Sequence, residues 1–277
     1  MSGGSHSPDS AAPPPKKVTP AKKDELRARI ARLGVVLARV EEDGAWSDRA
    51  LAAEAARAGL QGRDRALAGY LVSGTVKHRR TLDHVVRRLA AREVGELDPP
   101  LRDAVRLGAF QLLHADRIPP HAAVATSVDL AKRGGRRQAG LVNALLRRVA
   151  DGGRALAAAL PLETPEQAAL ALSYPDWLAH LWFRAYGAET ARALLAAGNA
   201  PAEQAVRVNA LRPGARERVE AALAAAGCAV HHDPDAPDAL VLDGSFDVAA
   251  SSLLADGDVV PMSRSAQRIA PLLAPQP

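Results

Sequence analysis

The sequence has one cysteine, Cys228, and only nine aromatic residues among 277, three each of Phe, Tyr and Trp. A single thiol excludes a disulfide framework and a cysteine-based metal cage, and it suits a reducing compartment, so a cytoplasmic protein is expected. Long apolar runs are missing too. Stretches such as 155–160 and 221–226 fall far short of the ~20 residues a membrane helix needs, and the N-terminus has no signal-peptide core. Neither a membrane nor a metal is therefore expected as a partner. No glycine cluster of the G-x-G-x-x-G or P-loop kind occurs, so no cofactor turn can be assigned. Ser263 and Ser265 have no evident His and Asp partners, which leaves a serine hydrolase without support.

Acidic residues are scarce in the first half. Residues 1–150 hold 27 Lys and Arg against 16 Asp and Glu, whereas 151–277 hold 9 against 15. The basic character belongs to the first half, as it would if that half meets a polyanion, with nucleic acid the leading candidate.

The period of the apolar residues divides what remains. Residues 1–20, with AAPPPKK at 11–17, cannot bury apolar surface and read as a disordered basic arm. Thr19-Pro20 then opens an amphipathic helix on Leu26, Ile30, Leu33, Leu37 and Val40. Helical signals continue to about Gly153: Ser47 as a cap for a helix through Arg57, one long or two consecutive helices over 62–89, a helix opened by Asp98-Pro99, then 121–133 and 136–149. Six or seven short-linked helices, each with one apolar stripe, predict an all-helical bundle over 21–153. A connector follows, then a capping box at Thr164-Pro165-Glu166-Gln167 and a helix after Tyr174-Pro175. Five of the nine aromatics lie within 174–186 and read as a packing anchor. Beyond Pro201 the period becomes 2: Val206, Val208 and Ala210 alternate with Arg207 and Asn209, and strands are expected near 228–231, 240–242 and 258–260 around a helix over 215–226. The second module, 163–277, is thus helical and then α+β, with at least one β-α-β step and no derivable strand order. Its last stretch, 263–273, is amphipathic and carries Ile269, Leu272 and Leu273 on one side.

Candidate functional residues follow the charge. Lys132, Arg133, Arg136 and Arg137 flank two glycines between helices, where several cations can approach one run of phosphates; Asn143, Arg147 and Arg148 come next. With Arg79, Arg80, Arg87 and Arg88 these six cations, Asn143 aside, form the candidate nucleic-acid-contacting set of the bundle; the bland alternative is a solvated basic loop. Arg207 and Asn209 share one face of a strand and form the candidate set of the second module, against an ordinary solvent-facing strand. Cys228 follows a glycine among apolar neighbours and reads as structural. His231-His232 reads as a solvated strand end, Trp177 and Trp182 as core, and His121 as a helix cap or packing residue.

The motifs VRLGAFQLL at 105–113, RIPPHAAV at 117–124, DLAKR at 129–133 and GLVNALLRR at 140–148 resemble the NusB-like helical domain. Their spelling is similar to the form found in the bacterial 16S rRNA cytosine-C5 methyltransferases called RsmB, Sun or Fmu. SYPDWLAHLWFRAYG at 173–187, AVRVNAL at 205–211 and the terminal SRSAQRIAPLLAPQP extend that resemblance from about residue 24 to the end. The resemblance implies a mainly α chain that binds small-subunit ribosomal RNA, and it implies a Rossmann-like catalytic domain beyond Pro277 that would hold S-adenosylmethionine, supply the cysteines and pack on the C-terminal segment. No catalytic, cofactor-binding or metal residue is assigned to these 277 positions, and the chain is expected to be inactive alone. Two other readings stand beside it. One is a non-enzymatic NusB-like transcription antitermination factor, which leaves everything after Thr164 unexplained. The other is a helical protein-interaction scaffold, which makes the basic first half incidental.

Overall fold

The computed structural model describes residues 33–132, 135–244 and 246–272. The proposed N-terminal arm, the first turns of the opening helix, Arg133 and Leu273 lie outside them. The chain divides into two compact units after Asn199.

The first unit is all helical: α1 (33–42), α2 (Ser47–Arg57), α3 (Gly62–Lys77), α4 (Arg79–Ala90), α5 (Pro99–His114), α6 (Pro120–Ala131), α7 (Arg136–Ala158), α8 (Pro165–Ala171) and α9 (Asp176–Asn199). The stretch 62–89 is two helices that break at His78. Ser47 is not a cap: Trp46 takes the N-cap position and no side chain caps the turn. α5 is the central element. Its residues from Asp103 to Leu113 are all buried, with Phe110, Leu107 and Leu112 packed among Leu82, Val85, Leu146 and Val149.

The stretch expected as a connector after residue 150 is instead the continuation of α7 to Ala158. Glycine is a poor helix former, yet here its missing side chain is what the packing needs. A Cβ on Gly153 would stand 2.8 Å from Leu113 Cδ2, and one on Gly152 would touch Leu89. Gly153 lets α7 lie close on Leu113 of α5 while the helix runs on.

The capping box at Thr164 forms as read: Gln167 N–H donates to Thr164 Oγ1, and the Gln167 amide oxygen accepts from Thr164 N–H. α8 and α9 lie in the same compact unit as the bundle. Thr81 Oγ1 donates to Leu170 O at 2.7 Å, Ser173 Oγ accepts from Arg80 N–H at 3.1 Å, and Lys77 Nζ donates to Gly198 O at 3.1 Å. α9 is interrupted at Gly187, whose φ of 77° favours glycine. Of the aromatic group, Tyr174, Trp182 and Phe183 pack on the small core of Ala168, Ala169, Ala179 and Leu195. Trp177 does not; it is 67% exposed.

The second unit holds β1 (Gln204–Val208), α10 (Ala215–Ala225), β2 (Ala229–Asp233), β3 (Ala236–Asp243), α11 (Ser252–Ala255), β4 (Val259–Pro261) and α12 (Arg264–Leu272). The sheet order is β2-β3-β1-β4 and every pairing is antiparallel. β1 and β2 therefore run parallel with β3 between them, so the expected β-α-β step is present in split form. Val206, Val208, Leu240, Leu242 and Val259 from the sheet and Val219 and Leu223 from α10 make the core. Two buried carboxylates pin the edges. Asp258 pairs with Arg212 and Arg218, and Asp233 with Arg264 and Arg268, the latter pair tying α12 to the end of β2. Their arginine hydrogen bonds hold both carboxyls below the ordinary aspartate range. On α12, Ile269 and Leu272 are left exposed.

Candidate nucleic-acid interface

α7 sorts its residues by angle. Ala139, Val142, Leu145, Leu146, Val149 and Gly153 are buried, and at 3.6 residues per turn Arg136, Arg137, Arg147 and Arg148 fall within roughly 120° on the opposite side. All four are exposed, and none has an acidic partner among the described residues. They form two pairs three turns apart, roughly 16 Å along the axis at 1.5 Å per residue. The turn before them is closed by Gly135 N–H donating to Lys132 O at 3.0 Å.

Beside this arc runs a groove of about 440 Å³ between α6 and α7. Val124, Ala125 and Val128 line its α6 side, and Asn143, Arg147 and Ala150 its α7 side. His121 and Pro120 stand at one end and Lys132 at the other. The Lys132 ammonium is bound to Asp129 at 2.5 Å, which leaves Arg147 as the unpaired cation of the groove. His121 caps nothing: α6 begins without a side-chain cap and the imidazole is exposed.

The other candidate residues are more occupied. Arg80 donates to Tyr174 O at 2.7 Å and pairs with Asp176 at 2.8 Å, so it clamps the start of α9. Arg79 is bound to Glu41, and Arg87 lies 3.7 Å from Glu93. Arg88 is exposed with no acidic partner among the described residues. Arg133 lies outside those residues. In the second unit Arg207 is exposed, 3.6 Å from Asp238. Asn209 is a corner residue: its amide donates to Gly257 O and accepts from Leu211 N–H, so its side chain holds the turn after β1. Only an ion-pair map separates the free arginines from the engaged ones, because sequence charge counts them alike. The groove floor was hidden for a different reason, since Val124 and Val128 have the spacing of core residues.

Two strongly perturbed ionisable groups lie in the bundle interior. Burial pushes the Asp103 carboxyl up to about 7, and burial next to His114 pushes His78 down to about 4. Asp103 lines a space of about 20 Å³ with Glu41, Arg79 and Arg106, room for one water at most. Cys228 is buried, and burial raises its thiol pKa away from the thiolate a nucleophile requires. Among the described residues no group of three or more His, Cys, Asp and Glu could hold a metal, and no helix is long and apolar enough to cross a membrane. The described turn between β1 and α10 does not fit S-adenosylmethionine. The sheet is antiparallel, and the turn between β1 and α10 has a single glycine, Gly214, whose open side is filled by Arg218 Nη1.

Residues 27–151 match the NusB family, and residues 174–249 match the ferredoxin-like domain described as Methyltr_RsmF/B-like. A probable ribosomal RNA small subunit methyltransferase B from Synechocystis is 34% identical over 220 residues, covering 77% of this chain and 48% of that protein. Its counterpart from Thermus thermophilus is 42% identical over 125 residues, covering 45% of this chain and 28% of that protein. The chain thus spans about half the length of the Synechocystis relative or less of such proteins. The crystal structure of PH0851 shares the fold with a TM-score of 0.65 at 18% identity, covering 91% of this chain and 56% of that one. Residues 27–151 are therefore a NusB-family domain and residues 174–249 an RsmF/B-type ferredoxin-like domain, the pairing that the resemblance to the RsmB, Sun or Fmu family implies.

Proposed function

We propose that this chain is the RNA-recognition portion of an S-adenosylmethionine-dependent methyltransferase that modifies C5 of a cytosine in small-subunit ribosomal RNA. The observation that carries the reading is the α7 arc: four exposed arginines, none of them neutralised by an acidic residue among those described, beside an open groove. Cations left without partners on one face gain most from a polyanion, since each phosphate they neutralise releases condensed counterions. Arg136, Arg137, Arg147 and Arg148 hold phosphates and set the position of the RNA, with Arg88 adding to the same charge; such contacts position without specifying sequence. The names of the relatives supply the RNA and the reaction class. The methyl donor and the nucleophile are assigned to no residue here and belong, on this reading, to a further domain of the kind the family carries.

The ferredoxin-like match at 174–249 favours this reading over a stand-alone NusB-type antitermination factor, which has no use for a second module. The test is filter binding of the chain to purified 16S rRNA between 50 and 300 mM KCl. The proposal expects log K to fall linearly with log salt, with a slope of about −3 or steeper for four or more phosphate contacts. Binding that ignores salt, or no binding at the lowest salt, overturns it.

A further inference from the structure

The groove between α6 and α7 has a chemistry that an arc of arginines does not need. Phosphates would be held by outward-pointing guanidinium groups alone, whereas this trough has an apolar wall of Val124 and Val128, both half-buried. Facing that wall is Asn143. Its amide is half-buried and makes no hydrogen bond among the described residues, so one acceptor and two donors point at an open space without a protein partner. His121 stands at the mouth with its ring exposed, and Arg147 follows Asn143 by one turn on the same side of α7.

We infer that this groove takes one unpaired nucleobase of the bound RNA, with its ring against Val124 and Val128, its polar edge on the Asn143 amide and the adjoining phosphate on Arg147. The inference rests on the RNA reading above and adds what that reading lacks, a preference for unpaired nucleotides. Size agrees: about 440 Å³ lies within the roughly 300–1,000 Å³ of small-ligand sites. So does the combination of surfaces. Bases in an A-form duplex keep their faces stacked and their pairing edges engaged, so only a base splayed from a loop or a single strand can offer both an apolar face and a free edge, and histidine is among the side chains on which such bases stack. Charge favours a polyanion over an apolar peptide, since Lys132 offsets Asp129 in the lining and Arg147 is left as an uncompensated cation.

The test uses the full chain and a labelled single-stranded ribo-oligonucleotide of mixed sequence beside its blunt duplex, both read by fluorescence anisotropy at one salt concentration. Asn143→Ala removes the amide. Ala125→Trp fills the trough from an exposed position and so spares the core. Arg137→Ala with Arg148→Ala, on the far side of the arc, tests the phosphate reading separately. The expected result is about tenfold weaker single-strand binding for each groove variant, the scale of one base contact, with duplex binding within about twofold of the parent; the arginine variant weakens both forms alike. If both groove variants leave single-strand binding unchanged, or weaken both forms equally, the inference is overturned. In that case an arginine variant that still lowers binding keeps the RNA reading standing, and one that changes nothing removes that reading as well.

Discussion

Arg106 of α5 and Asp83 of α4 are joined by two parallel hydrogen bonds, Nε to Oδ1 at 2.9 Å and Nη2 to Oδ2 at 2.8 Å. The guanidinium side chain is 8% exposed, and Glu41 of α1 approaches it at 3.4 Å, so one cation links three helices. Asp83 and Glu41 each retain some contact with water. Arg106→Ala strands two acids beside a buried gap, and the expected loss is about 3 kcal/mol, the low end for a broken buried pair. Urea unfolding measures it, and a loss below about 1 kcal/mol would show that solvent, not Arg106, satisfies the acids.

Asp103, one turn before Arg106, gives the bundle an opposite pH response from its histidines. Its carboxyl, pushed up to about 7 by burial against the pull of Arg102 and Arg106, keeps a proton in the fold that the unfolded chain releases above about pH 4. Protons bound by the folded state alone make stability fall as pH rises, here from about pH 4 to 7. His78, held down to about 4 by burial next to His114, stays neutral in the fold while the unfolded chain takes a proton below about pH 6.5, so its contribution rises with pH over about 4 to 6.5. Asp103→Asn removes the falling part. Its urea midpoint relative to the parent should climb between about pH 4 and 7 and level off above; a difference that stays constant with pH contradicts the assignment.

Gly74 of α3 faces the ring of Phe110, and a Cβ there would stand 2.0 Å from Cζ. Phe110 has little room to retreat, because Tyr70 lies tilted against it and His78 and His114 stack on it, at centroid distances of 5.3, 5.9 and 5.3 Å. Gly74→Ala should cost about 1–3 kcal/mol by overpacking, visible as a lower Tm, and Phe110→Leu in the same chain should recover part of it. An unchanged Tm in Gly74→Ala would mean that the ring has room the structure does not show.

The helical half was legible because its apolar residues keep one period: the start at Pro99 and the capping box at Thr164 lie where the sequence puts them, and the helix expected from His121 begins one residue earlier, at Pro120. The misplacements share a cause, which is tertiary packing overriding local preference. Gly152-Gly153 reads as a helix end, but the close approach of Leu113 on α5 rewards the missing side chain at Gly153. Trp177 reads as core by type, yet its angle on α9 turns it to solvent. In the interface, the basic stretch of α7 was visible as charge. What Arg80 and Asn209 do was not, because their partners Tyr174, Asp176 and Gly257 are distant in sequence.

The most direct test of the account is the salt dependence of RNA binding by the chain carrying Arg136→Ala, Arg137→Ala, Arg147→Ala and Arg148→Ala together. All four side chains are exposed, so the fold should survive. If they hold phosphates, the slope of log K against log salt becomes shallower by about 3, as four lost counterion-releasing contacts require, and affinity at low salt falls by orders of magnitude. An unchanged slope in a folded variant would place the RNA on another face of the molecule and contradict the role given to α7.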